Sequence, residues 1–232
     1  MKIPLSSRLQ ACCSFVAPGD RVADIGCDHG YLGIYLLKNH IASKVIASDI
    51  NEGPLQCAVR NSEKFGVRDK IDFYLSDGVA NIPRDFDTLV CAGMGADTMV
   101  SILSSAPWLK DGKYRLILQC QSKTPMLRQY LYENGWGTEK EIVLRDGRFL
   151  YTVIVATWQE DWPRTCVAEF YYPSTLLEQK TPDSVEYYHR VVNKLRISVN
   201  GRGTQADRME VSALEQLEAL ADSYPFLTED SQ

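Results

Sequence analysis

The sequence predicts an α/β fold: a mostly parallel sheet built from strand–helix units with an antiparallel last strand, followed by a C-terminal helical hairpin. Three observations carry this expectation. Short apolar runs end repeatedly in glycine or acidic turns, helical periodicity follows most of them, and beyond residue 160 only helical periodicity remains. Read along the chain, the order is α-β-α-β-α-β-β-α-β-α-β-β, then the hairpin.

A first helix spans Leu5 to Val16. The apolar run Val22-Ala23 then leads into Asp24-Ile25-Gly26-Cys27-Asp28-His29-Gly30-Tyr31-Leu32, and a helix continues to Asn39. This is a buried strand, a tight glycine turn and a helix start. Gly26 and Gly30 let the backbone approach a ligand where a β-carbon would clash. The helix start offers free N–H groups to a polar or anionic group. Such a unit suits a nucleotide-like cofactor, although an ordinary βα turn has the same outline. The spacing is G-x-x-x-G, whereas a dinucleotide fingerprint is G-x-G-x-x-G. Asp28 also puts a carboxylate where phosphates would otherwise sit. S-adenosylmethionine, with an ammonium, a sulfonium and a carboxylate, fits acidic groups beside a glycine turn.

The second strand, Val45-Ile46-Ala47-Ser48-Asp49-Ile50-Asn51, ends in an acid. That acid lies in the window, roughly 20 residues on, where nucleoside-binding α/β domains hold the ribose hydroxyls. A helix from Gly53 to Lys64 and the strand Ile71–Leu75 follow, ending at Ser76-Asp77-Gly78, a turn suited to an adenine edge. The strand Thr88–Cys91 ends in an Ala92-Gly93-Met94-Gly95 loop and a helix from Ala96 to Ser105. Tyr114–Gln119 is a strand and Thr124–Asn134 a helix. The strands Lys140–Leu144 and Tyr151–Ala156 flank an Asp146-Gly147 turn and form a hairpin. Any one of these aspartates alone reads more often as a helix cap than as a ligand contact. Together the strand ends make one line of loops, the ligand edge of open α/β sheets.

Composition limits the alternatives. A chain of 232 residues, 45% apolar, can bury one full core and a small appendage. No apolar stretch reaches the ~18 residues of a membrane span, and Met1-Lys2-Ile3-Pro4 lacks a signal-peptide core. The seven cysteines are scattered without a Cys-x-x-Cys pair and only three histidines are present, which predicts a reduced, cytoplasmic protein with no metal site.

Residues 1–160 form the expected cofactor-binding catalytic domain and 161–232 the hairpin domain, with a boundary at Asp161-Trp162-Pro163-Arg164. Pro173 and Pro182 mark a loosely ordered lead-in. Val185, Tyr188, Val192, Leu195 and Val199 then form one helical stripe, and Asn200-Gly201-Arg202-Gly203 stops it in a turn. Ala206, Met209, Ala213, Leu217 and Leu220 form a second stripe. Residues 1–160 hold 18 basic and 18 acidic residues, whereas 161–232 hold 7 and 12, so the hairpin half carries the whole net charge of −5. That balance argues against broad nonspecific nucleic-acid binding. Locally, however, Arg190, Lys194, Arg196 and Arg202 concentrate positive charge that can contact phosphates, or simply pair with acids on a solvated face.

Leu5-Ser6-Ser7-Arg8-Leu9, the stretch Val22–Leu32, Ala92–Gly95 and Asp146-Gly147-Arg148-Phe149-Leu150-Tyr151 resemble the bacterial tRNA (adenine-22-N1)-methyltransferase family over the whole chain. The most specific piece is Asp28-His29-Gly30-Tyr31-Leu32. Gly33, Ala96 and Leu118-Gln119-Cys120-Gln121 depart from the family's usual Pro, Gly and Gln-Pro-Asn-like turn. The resemblance implies a class I, Rossmann-like methyltransferase fold, S-adenosylmethionine as cofactor and tRNA as substrate. No protein partner is implied, and a monomer is expected. It assigns Asp24, Gly26, Asp28 and Gly30 to the methionine end, Asp49 with Ile50 and Asn51 to the ribose, and Asp77 with Gly78 to the adenine. Gly93, Met94 and Gly95 fall between cofactor and target base. Tyr31 is the expected stacking ring, Asp28 the carboxylate that stabilises the cationic product, and His29 its orienting partner. Arg8 fixes a phosphate or a site carboxylate, and Arg190, Lys194, Arg196 and Arg202 bind the RNA. Two other readings stand beside this one: a methyltransferase for another RNA site or a small molecule, and a non-catalytic RNA-binding module.

Overall fold

The expected strand–helix alternation forms as a seven-stranded sheet in the computed structural model, which describes residues 2–159 and 165–228. The boundary expected at Asp161–Arg164 therefore lies outside the described residues. Helix α1 (Ser7–Ser14) precedes β1 (Arg21–Ile25), α2 (Tyr31–Lys38), β2 (Lys44–Asp49), α3 (Glu52–Lys64) and β3 (Ile71–Leu75). Then come β4 (Thr88–Met94), α4 (Ala96–Ser104), β5 (Arg115–Cys120), α5 (Thr124–Glu133), β6 (Trp136–Asp146) and β7 (Phe149–Trp158). The sheet order is β3-β2-β1-β4-β5-β7-β6. All neighbours are parallel except β7, which runs antiparallel to both β5 and β6.

Both faces of the sheet are buried, which is why its central strands carry apolar runs without an alternating polar face. On β5, Leu116 and Leu118 face the core beneath α4 and α5, while Ile117 faces the core beneath α1 and α2. Gly33 explains one departure from the family pattern: a β-carbon there would meet Val45 at 2.9 Å, so α2 lies directly on β2. The strand order turns outward in both directions from β1 and β4, and ligands of open sheets bind outside the carboxyl ends at that switch.

Two sequence expectations need correction. The Ala92–Gly95 segment is not a free loop: β4 continues to Met94 through a bulge, and the ladder resumes at Met94 opposite Cys120. Gly93 adopts φ +84°, a left-handed conformation that a glycine supplies at little cost. Nor is the lead-in loosely ordered. It forms α6 (Ala168–Tyr171) and a short 3-10 turn, with Tyr172 and Leu176 fully buried. Pro182 does not interrupt; it occupies the first turn of α7 (Pro182–Arg202), behind a reciprocal Thr181/Ser184 capping box.

Helices α7 and α8 (Arg208–Ser223) form the expected antiparallel hairpin around Tyr188, Leu195, Ala213 and Leu217. Met209 is 36% exposed, contrary to its place in the stripe, because α8 starts only at Arg208 and leaves it at the open end. Leu214 is buried instead. The hairpin is fastened to edge strand β6. The Gln179 side-chain amide accepts from the Val143 N–H at 2.8 Å and donates to its carbonyl at 2.7 Å, covering a stretch of open edge. Arg145 pairs with Asp183 at 2.8 Å and with Glu186. Arg128 on α5, itself buried, donates to Glu141 at 2.6 Å, to the carbonyls of Phe170 and Tyr171 at 2.9 and 2.8 Å, and to the Tyr187 hydroxyl at 3.2 Å.

Candidate active site

The turn after β1 combines three left-handed residues: Gly26 at φ +69°, Asp28 at +49° and Gly30 at +71°. Together they curl the backbone around a cavity of about 300 Å³ whose walls include Asp24, Gly26, Asp28, His29, Tyr31 and Met94. A β-carbon on Gly26 would fall 2.3 Å from the Met94 methyl, so the turn is open only because that position carries no side chain. Asp24 sits beneath the turn, fully buried, and its Oδ2 has no hydrogen-bond partner. Burial pushes its carboxyl up to about 7; the Gly33 N–H opposes that rise and the nearby Asp49 charge adds to it. An unpartnered buried carboxylate facing a cavity is a receptor for a cationic or N–H donor group.

Asp49 ends β2 with both oxygens oriented: Oδ2 accepts from the Asp28 N–H at 3.2 Å and Oδ1 from the Asn51 N–H at 2.9 Å. That pairing locks the glycine turn to the next strand. Ile50 is 61% exposed beside it, an apolar surface left open at the ligand edge. Gly78 accepts a hydrogen bond from Ser48 at 3.4 Å, while Asp77 is exposed. The Asp28 carboxylate is exposed and lies 3.8 Å from His29, whose ring is in turn 5.9 Å from Tyr31.

Arg8 reaches the site from α1. Its Nη1 donates to Gln119 Oε1 at 3.0 Å, and its Nε lies 3.5 Å from Asp146. The same Gln119 oxygen accepts from the Gly93 N–H at 3.0 Å. Arg8 thus pairs with a carboxylate outside the cavity and joins α1, β4, β5 and the end of β6. Gln119 and Asp146 were not among the sequence-derived site residues, although both follow the signal that found the others, a polar residue at a strand's ligand-edge end.

A second cavity of about 630 Å³ opens beside the first, between the β5–α5 loop, the start of β7 and helix α7. Arg190, Lys194 and Arg202 line it together with Lys123, whereas Arg196 is not among its walls and pairs with Glu218 at 2.7 Å. The four basic residues grouped from sequence are therefore three that share a cavity and one outside it.

The buried thiols are chemically quiet. Burial, with the Asp24 charge next, pushes Cys12 up to about 12 and raises Cys27 and Cys91 as well.

A family model described as a methyltransferase domain matches residues 5–154. The chain belongs to this methyltransferase family. Its sequence is 36% identical over 156 residues to the tRNA (adenine(22)-N(1))-methyltransferase of Bacillus subtilis, a match covering 67% of this chain and 66% of that protein. The crystal structure of the B. subtilis M1A22 tRNA methyltransferase TrmK superposes with a TM-score of 0.79 at 28% identity, covering 98% of both chains. Streptococcus pneumoniae Sp1610 in complex with S-adenosyl-L-methionine superposes with a TM-score of 0.80 at 26% identity, over 93% of this chain and 99% of that one. These findings bear out the resemblance and the class I fold read from the sequence.

Proposed function

We propose that the protein transfers a methyl group from S-adenosylmethionine to N1 of adenine 22 in tRNA. The observation that carries this reading is the correspondence over 98% of both chains, helical hairpin included, with a tRNA M1A22 methyltransferase of known structure.

The residues present fit the cofactor. The unpartnered Asp24 oxygen would take the ammonium of the methionine end, and the Gly26 turn, which a β-carbon would fill, would admit its backbone-like atoms. Gly30 shapes the same turn, Asp49 with Ile50 and Asn51 would hold the ribose, and Asp77 with Gly78 would border the adenine. When bound, the cofactor supplies an electrophilic sulfonium methyl. The protein's part is to orient and exclude, because adenine N1 is a neutral lone pair that needs mainly positioning. Gly93, Met94 and Gly95 separate the two cavities, and Arg8, braced by Gln119 and Asp146, fixes the wall beside them. Asp28 provides negative charge for a base that becomes cationic, with His29 orienting it and Tyr31 flanking the opening.

Residues 1–160 act as the catalytic domain and 161–232 as the tRNA-contacting domain, through Arg190, Lys194, Arg196 and Arg202. A paired N1 is inaccessible, so the base must leave its stack to react. On this reading the protein works in the cytoplasm, as a monomer. Incubation of the purified protein with unmodified tRNA and S-adenosylmethionine, followed by mass spectrometry of the nucleosides, should yield 1-methyladenosine mapped to position 22. Absence of that nucleoside, or methylation elsewhere, would refute the proposal.

A further inference from the structure

Resting on the reading above, we propose that the second cavity seats the acceptor nucleotide, with Tyr151 stacking on the target base and Lys194 holding its phosphate. The two cavities adjoin at one contact. Gln121 lines the second cavity, and its Nε2 lies 3.6 Å from where a β-carbon on Gly93 would stand; Gly93 lines the first. A base in the second cavity therefore faces the methyl donor's cavity across Gly93, where the β4 bulge carries no side chain.

The size fits. At about 630 Å³ the cavity falls in the range of small-ligand sites and is about twice the volume of its neighbour. Its chemistry fits as well. Four cations, Lys123, Arg190, Lys194 and Arg202, stand against the single acid Glu210. Three of the cations already have acidic partners: Lys123 with Asp97 at 2.9 Å, Arg190 with Glu186 at 2.5 Å, and Arg202 with Glu210 at 3.7 Å. Lys194 has none within 4 Å among the described residues, so its charge is the one left for a phosphate.

Four aromatic residues line the cavity: Phe170, whose ring packs on Tyr132 at 5.8 Å, Tyr171 on the same short helix, Tyr187 and Tyr151. The Tyr187 hydroxyl accepts from Arg128 at 3.2 Å and its ring lies 5.9 Å from the same guanidinium, so it serves the packing. Tyr151 is half-buried, and no hydrogen bond engages its hydroxyl among the described residues. Its ring lies 6.1 Å from Phe149, and of the four it alone stands on β7 beside Cys120 at the ligand edge; an aromatic ring in a cation-lined cavity is the usual platform for an unstacked base. The role expected of Tyr31 thus passes to Tyr151, since Tyr31 faces the donor's cavity beside His29. Gln121, at the partition, carries an amide oxygen able to accept from the exocyclic amine of adenine, leaving N1 toward the donor.

The test uses the full chain, unmodified tRNA and S-adenosylhomocysteine as a probe of the first cavity. Tyr151→Ala should lower kcat/KM for tRNA about 10- to 100-fold, and Tyr151→Phe should recover most of that loss. Lys194→Glu should raise KM for tRNA far more than it lowers kcat and should flatten the salt dependence of binding. Calorimetric affinity for S-adenosylhomocysteine should stay within about twofold of wild type in all three variants. Wild-type kcat/KM in Tyr151→Ala or Lys194→Glu would overturn the assignment, and so would a matching loss of S-adenosylhomocysteine affinity, which indicates general damage. A wild-type protein that makes no 1-methyladenosine fails the functional reading itself, and the acceptor site falls with it.

Discussion

Replacing Arg128 with methionine should destabilise the protein far more than an ordinary salt-bridge deletion, and the structure says by how much. Arg128 and Glu141 are both buried, and the guanidinium satisfies the carboxylate, two backbone carbonyls and a tyrosine hydroxyl. Removing the cation strands the Glu141 charge in the interior, which costs about 3–5 kcal/mol for a buried pair against 0–1 for an exposed one. For a chain of this length that lowers Tm by about 6–20 °C, at 2–4 °C per kcal/mol. Urea unfolding followed by circular dichroism gives the free-energy change directly, and the double variant Arg128→Met/Glu141→Leu should recover much of it by removing the stranded charge. A single variant that loses less than about 1 kcal/mol, with an unchanged m-value, would show that the cluster behaves like a surface pair and that this reasoning is wrong.

Three further outcomes follow from the first cavity. Asp49→Ala should weaken S-adenosylmethionine binding in calorimetry and also lower Tm, because it unties the Asp28 and Asn51 N–H groups; equal affinity would remove Asp49 from the cofactor site. Gly26→Ala forces a left-handed residue at φ +69° to carry a β-carbon 2.3 Å from the Met94 methyl, at a backbone cost of about 1–2 kcal/mol, and should likewise depress cofactor affinity. Burial pushes the Asp24 carboxyl up to about 7, above the ordinary carboxylate range, so the folded chain binds the extra proton between that range and about 7, and this contribution to stability is lost as pH rises toward 7. Asp24→Asn should flatten the stability profile between about pH 4 and 7, and a profile identical to wild type would contradict the raised pKa.

The sheet was legible because burial on both faces writes itself into composition: β1, β2 and β5 are buried almost throughout and carry short apolar runs such as Val45-Ile46-Ala47 and Leu116-Ile117-Leu118. Asp49 was legible because its strand end and spacing point to a ligand edge without any knowledge of partners. What stayed hidden was pairing across the chain. Arg8 meets Gln119 and Asp146 from far away in sequence, and no local period encodes such a meeting. Arg128 reads as one more helix-surface arginine until β6 and α6 close over it. The segment around Pro173 looked loose because its apolar residues lack a helical or alternating period, yet Tyr172 and Leu176 are buried in the hairpin's core.

The reversed strand explains why those hidden contacts are needed. Because β7 runs against β5, its Thr152 lies opposite Cys120 at the ligand edge, and its Thr157 lies opposite Arg115 at the far edge. The chain therefore leaves the sheet on the side away from the cofactor turn. To line the second cavity, α7 must be brought back over β6, a strand whose outer edge is otherwise open. Arg128, Gln179 and Arg145 each make that return connection from a different height on the sheet: Arg128 through α5, Gln179 at Val143 and Arg145 near the β6–β7 turn. The same turn carries Asp146, the partner of Arg8, so the contact that docks the hairpin and the contact that braces the catalytic wall lie one residue apart on β6. A shift of the hairpin along β6 would thus move Arg145 beside the residue that holds the Arg8 brace.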